Sequence, residues 1–131
     1  MSKESAPVSS IMTENVKTAT EDETIQAVCK SMYENEIGSL VVVKRTIGGI
    51  SPIGIITERD IVHHIGLSEL FVVQAPIRQI MSTPLVTIGP KSLIRDALEI
   101  MKVKNIGKLP VIDNNGKMVG IITSKDVLKE M

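Results

Sequence analysis

The chain of 131 residues has no tryptophan, one tyrosine (Tyr33) and one phenylalanine (Phe71). Its core must therefore be aliphatic, and stacking of bases on aromatic platforms, the usual device of single-strand binders, is mostly unavailable. The single cysteine, Cys29, excludes an internal disulfide and any Cys-rich zinc site. Long apolar runs are missing too: the aliphatic stretch Leu40 to Val43 is far short of a membrane span. Residues Met1 to Val8 are polar, lack the apolar core of a signal peptide and read as a flexible N-terminus. Neither sign of charge is in excess, since 15 basic residues balance 15 acidic ones. No global field recruits nucleic acid or an anionic membrane. A soluble cytoplasmic protein is expected, and 43% hydrophobic with 23% charged residues suits an ordinary globular one.

What the chain does have is an internal repeat. Ile11-Met12 recurs as Ile80-Met81, and at the same offset Thr18 meets Thr87, Ile25 meets Ile94 and Met32 meets Met101. Ile37-Gly38, Leu40 and Val42 likewise return as Ile106-Gly107, Leu109 and Val111. Gly54-Ile55-Ile56-Thr57 and Asp60 return as Gly120-Ile121-Ile122-Thr123 and Asp126, at an offset three residues shorter. The ordered Gly, Thr and Asp matches separate this pattern from a chance likeness of two aliphatic stretches.

Each copy reads as strand, helix, strand, strand, helix. Ile25, Val28, Cys29, Met32 and Tyr33 recur at helical spacing, as do Ile94, Ala97, Leu98 and Met101. Glu21 to Glu23 put negative charge near the first helix start, Ser92 offers a cap to the second, and Gly38 and Gly107 mark the helix ends or the turns beyond. Leu40 to Val43 and Leu109 to Ile112 are short strands, and Asp113-Asn114-Asn115-Gly116 is a hairpin turn. A short strand is expected near Lys17–Thr18 or Val86–Thr87. The returning strands feed second helices that open at Thr57 and Thr123. The expected class is mixed α/β (α+β): two β-α-β-β-α repeats, 9–66 and 76–131, joined by 67–75. One repeat would be marginal on its own core, so two are expected to pack through their sheets about a pseudo-twofold axis.

Thr-x-x-Asp at a helix start is a capping box, which needs no ligand. At a strand-to-helix edge, however, a carboxylate can also accept both hydroxyls of a ribose, and the threonine can bond sugar or phosphate. Helix N–H groups nearby tolerate an anion.

The blocks Gly54 to Val62 and Gly120 to Leu128, with Ile80-Met81, Ile106 to Asp113 and Gly116, resemble cystathionine-β-synthase (CBS) domains. The resemblance covers nearly the whole chain. It implies a tandem pair, or Bateman module, that binds AMP, ADP, ATP or S-adenosylmethionine as a regulatory ligand and has no catalysis of its own. Such pairs often dimerise into a disc of four repeats and signal to a partner protein by a conformational or assembly change. With no enzyme domain in the sequence, a stand-alone regulator is expected.

Carried across, the resemblance implies one pocket with Thr57, Asp60, Ser82, Val86, Ile106, Gly107 and Lys108, with Lys125 within reach of phosphate. The other would have Thr123 and Asp126 with Thr13, Val16, Lys17, Ile37 and Gly38, and Arg59 as the counterpart of Lys125. Lys108 faces Ser39 across the repeat, so the Asp60 pocket is expected to favour the more phosphorylated ligand. Adenine would lie against aliphatics such as Val86 and Ile106.

His63-His64 point apart on a helix and lack a third ligand, so no metal is expected. Cys29 matches Leu98 and reads as core, as do the paired methionines 12/81 and 32/101. Pro110 suggests a strand edge or an unpaired N–H. Neither a nucleophile–base pair nor a Gly-rich phosphate loop stands out. The competing reading is a structural or interaction module with degenerate pockets; a nucleic-acid regulator is disfavoured by the zero net charge.

Overall fold

The computed structural model describes residues 3–67, 73–83 and 85–130. The apolar segment expected to connect the repeats lies outside the described residues up to position 72. The elements are β1 (Thr18–Thr20), α1 (Ile25–Asn35), β2 (Ser39–Thr46), β3 (Gly49–Thr57) and α2 (Glu58–Leu67), then α3 (Ile94–Lys104), β4 (Lys108–Ile112), β5 (Met118–Thr123) and α4 (Ser124–Lys129). The fold is mixed α+β with two strand-rich repeats.

Two compact units form, and they interleave along the chain: residues 17–45 and 52–85 make one, and residues 1–16, 46–51 and 86–131 make the other. In the first unit β1 pairs parallel with β2, and β2 lies between β1 and β3. Thr24 caps α1, its Oγ1 accepting from the Ala27 N–H at 3.1 Å. The helix ends at Glu36 in the left-handed region (φ 53°), and Gly38 falls in the turn just beyond it, one of the two places expected for it. Ile25, Val28 and Met32 bury one face of α1 against Leu40, Val42 and Ile56. At about 1.5–3 kcal/mol per fully buried side chain, this aliphatic cluster is the main stabilising term of the unit. Cys29, expected in the core, is instead exposed, because the buried stripe of α1 runs through Ile25, Val28 and Met32 and leaves position 29 at its edge.

The other unit repeats the pattern. Here α3 begins after Leu93 rather than at a Ser92 cap, with Asp96 Oδ2 accepting from the Leu93 N–H at 3.2 Å. It ends at Asn105, again left-handed (φ 54°). β4 and β5 pair antiparallel around a turn in which Gly116 takes φ 78° and donates to the Asp113 carbonyl. Pro110 is buried in β4, and its carbonyl accepts from the Ile88 N–H. A residue's N and O lie on one strand edge, so the missing N–H faces the 86–88 segment, whose contact is a single bridge, Ile88 to Val111.

The segment leading into each repeat joins the core of the other. Val8 is fully buried among Ile94, Ala97 and Leu109, and Pro7 bridges Leu93, so the described end of the segment expected to be a flexible N-terminus packs on this unit. Its repeat partner Ile77 is fully buried among Ile25, Leu40 and Ile56. The backbone contacts are duplicated as well: Ile94 N–H donates to Ala6 and Ile25 N–H donates to Ala75.

Candidate functional site

In each unit a tight strand-to-segment contact sets up the candidate site. Ser82 and Ile55 exchange backbone hydrogen bonds of 2.8 and 3.2 Å, and Thr13 and Ile121 exchange bonds of 2.8 and 2.9 Å. These bridges pass directly over Gly54 and Gly120. A Cβ on Gly54 would lie 3.0 Å from Met81 Sδ and 3.1 Å from the Ser82 carbonyl oxygen. On Gly120 it would lie 2.7 Å from Met12 Sδ and 2.9 Å from the Thr13 carbonyl oxygen. The repeated glycine is therefore a close-approach residue that lets the Ile-Met-Ser/Thr segment lie on the strand.

Three residues beyond each glycine, the strand ends in the threonine and the helix begins. Asp60 Oδ2 accepts from the Thr57 N–H at 2.9 Å, and Thr57 Oγ1 accepts from the Asp60 N–H at 3.0 Å. Asp126 and Thr123 do the same at 2.9 and 3.1 Å. Both pairs are thus complete capping boxes. The cap uses only one carboxylate oxygen. The other, Oδ1, accepts from Ser82 Oγ at 2.9 Å in Asp60 and from Thr13 Oγ1 at 3.3 Å in Asp126. Each Oδ1 therefore already faces a hydroxyl, and a carboxylate oxygen has lone pairs for a second.

Of the residues expected at the two pockets, one unit thus assembles Thr57, Asp60 and Ser82, and the other assembles Thr123, Asp126 and Thr13. Arg59 and Lys125, each beside its aspartate in sequence, are exposed at the first turns of α2 and α4. The remaining residues fall in the unit opposite the aspartate they were assigned to, apart from Val16, which shares its unit with Asp126. Lys17 is exposed just before β1. Gly38 accepts from the Glu58 N–H at 2.9 Å, and Gly107 accepts from the Ser124 N–H at 3.0 Å. Ile37 packs on the core of its unit, and Val86 and Ile106 pack on the other. Lys108 is half-buried at the start of β4, and burial pushes its ammonium below the usual lysine range. The role of Gly54 and Gly120 as close-approach positions was missed in the sequence, although a glycine repeated inside two strands is itself the signal.

A profile of the CBS domain family matches residues 8–67 and 77–131. The chain is 35% identical over 125 residues to protein MK0525 of Methanopyrus kandleri, covering 95% of this chain and 62% of that protein. Among solved structures, protein MJ1225 from Methanocaldococcus jannaschii matches with a TM-score of 0.87 and 31% identity over 97% of this chain. This chain spans 48% of MJ1225. The CBS domain pair of protein MJ0100, solved with 5′-methylthioadenosine and S-adenosyl-L-methionine, matches with a TM-score of 0.80 and 26% identity, covering 95% of this chain and 94% of that one. With two matched segments, two interleaved units and the same glycine, threonine and aspartate closing each, the chain belongs to the CBS domain family as a tandem pair.

Proposed function

We propose that this pair is a cytoplasmic regulatory module that binds adenosine-containing ligands and signals to a partner protein without catalysis of its own. The observation that carries the reading is the division of labour within each aspartate. Oδ2 is committed to the helix cap, while Oδ1 faces a hydroxyl donor in both units. A ribose presents hydroxyl donors of the same kind. The ligands in the MJ0100 structure support an adenosine compound, as does the resemblance of the motif. AMP, ADP, ATP and S-adenosylmethionine are the candidates. An exposed free thiol at Cys29 suits a reducing compartment.

We assign the ribose to Asp60 and Asp126, assisted by Thr57, Ser82, Thr123 and Thr13, and a phosphate contact to Lys108. A partly dehydrated ammonium gains from a nearby anion, since a charge-assisted hydrogen bond contributes about 1.5–3 kcal/mol. Ligand acts on the partner to the extent that it favours one arrangement of the module over another. We also assign it a homodimer of four repeats, supported by the large apolar side chains it exposes on helices, including Tyr33, Val62, Val103 and Leu128.

Calorimetric titration with AMP, ATP and S-adenosylmethionine tests the function. Saturable binding of at least one, weakened by Asp60→Asn or Asp126→Asn, is expected. No heat from any of the three at millimolar concentration would replace this reading with that of an interaction module.

A further inference from the structure

Gly38 and Gly107 are clamped alike, each to the first residue of the helix that follows its sheet. The Glu58 N–H donates to the Gly38 carbonyl at 2.9 Å, and the Ser124 N–H to that of Gly107 at 3.0 Å. The clamp lays the helix residue over the face of the glycine where a side chain would stand. A Cβ on Gly38 would lie 3.4 Å from Glu58 Cδ, with the two carboxylate oxygens at 3.5 and 3.6 Å. On Gly107 it would lie 3.4 Å from Ser124 Oγ. The same spot therefore carries a carboxylate in one unit and a hydroxyl in the other.

The neighbouring residues widen the difference. Ser39 follows Gly38, whereas the half-buried Lys108 follows Gly107. Lys17, exposed just before β1, stands where the other repeat has Val86. Arg59 and Lys125 are matched cations and do not distinguish the two edges. The Gly107 edge thus presents an ammonium beside a hydroxyl, and the Gly38 edge presents a carboxylate together with a separate ammonium.

An anionic 5′-phosphate gains at the first edge and is opposed by Glu58 at the second. A 5′ substituent that carries a cation has the reverse preference, and a carboxylate on that substituent also gains from Lys17. S-adenosylmethionine has such a substituent, with a sulfonium, an ammonium and a carboxylate. Discrimination of this kind needs a repulsive element as well as an attractive one, and Glu58 supplies both. We propose that the pair sorts its ligands by charge. The Asp60 pocket takes a 5′-phosphorylated adenosine, and the Asp126 pocket takes an adenosine with a cationic 5′ substituent, selected by Glu58. The proposal rests on the ligand reading above, with the Gly107–Lys108 edge serving Asp60 and the Gly38 edge serving Asp126, and adds which charge each accepts.

Calorimetry on single-pocket variants of the full chain tests it. In Asp60→Asn, which keeps the Asp126 pocket, S-adenosylmethionine should bind more tightly than AMP. In Asp126→Asn the order should reverse. Adding Glu58→Gln to Asp60→Asn should weaken S-adenosylmethionine and strengthen AMP, each about fivefold, the scale of one exposed charge pair. Uncharged 5′-methylthioadenosine should move by less than about twofold, which separates a charge effect from damage to the fold. Conversely, Ser124→Glu added to Asp126→Asn places a carboxylate over Gly107 and should weaken AMP about fivefold. The same ligand order in both single-pocket variants would overturn the sorting by charge and leave adenosine binding standing. So would a Glu58→Gln shift of equal size and direction for all three ligands. Failure of all three to bind the unsubstituted protein would overturn the ligand reading itself.

Discussion

Ser82 Oγ donates to Asp60 Oδ1 at 2.9 Å, whereas the corresponding Thr13 Oγ1 stands 3.3 Å from Asp126 Oδ1. The two carboxylates are otherwise held alike, each by a cap through Oδ2. An amide in place of the carboxylate keeps an acceptor for the cap but sets its other end, now a donor, against the hydroxyl. Asp60→Asn should therefore cost less than about 1 kcal/mol of stability, as for a modified cap. It should weaken ribose-bearing ligands about tenfold or more. Thermal melts and calorimetry on the same variant separate the two effects.

The glycines under the bridges give a graded stability test. Gly120→Ala would drive a Cβ to 2.9 Å from the Thr13 carbonyl oxygen, and Gly54→Ala to 3.1 Å from that of Ser82. Both should destabilise by about 1–3 kcal/mol, as overpacking does, with Gly120→Ala the worse. Urea denaturation would report the order; equal and negligible effects would contradict the close approach.

Lys108 couples stability to alkaline pH. Burial lowers its pKa below the usual 10.5, so the charged form is less favoured folded than unfolded. The resulting cost is fully present below the folded pKa and is lost as pH rises from that value to 10.5. Lys108→Met should therefore raise the melting temperature of the ligand-free protein at neutral pH, with the gain shrinking at alkaline pH. The same variant should weaken ATP more than adenosine.

Glu36 closes α1 with a left-handed backbone that costs a residue bearing a Cβ about 1 kcal/mol. Glu36→Gly should stabilise by about 0.5–1 kcal/mol, and Asn105→Gly by less, because asparagine tolerates that conformation. Melts at a protein concentration low enough to keep the chain monomeric would check both.

Ile77→Ala should cost about 2–5 kcal/mol, since its side chain is fully buried among Ile25, Leu40 and Ile56. Hydrogen exchange should show the loss in the unit containing β1 to β3. Protection lost in α3 and β4 instead would contradict the exchange of leading segments.

The repeat, the helices, the hairpin turn at Asp113 to Gly116 and the capping pairs Thr57/Asp60 and Thr123/Asp126 were legible in the sequence. Each depends on residues within one or two turns of one another, where periodicity and turn chemistry act directly. The outward turn of Cys29 was not legible, because its spacing also fits a wider apolar stripe than the one α1 buries. Gly38 and Gly107 do mark the turns just beyond the helices, but the left-handed caps themselves, Glu36 and Asn105, carried no signal of their own.

The sequence by itself determined that there are two equivalent units and which threonine and aspartate close each one. Only the tertiary structure decided which chain segment completes each unit. Val8 to Thr13 joins the sheet of the second repeat, and Ile77 to Ser82 joins that of the first. A backbone bridge pairs whatever edge the folded chain brings near, and residues as far apart as Thr13 and Ile121 share no local signal. That exchange sets a hydroxyl beside each aspartate's uncapped oxygen, turning a duplicated helix cap into a candidate ribose grip.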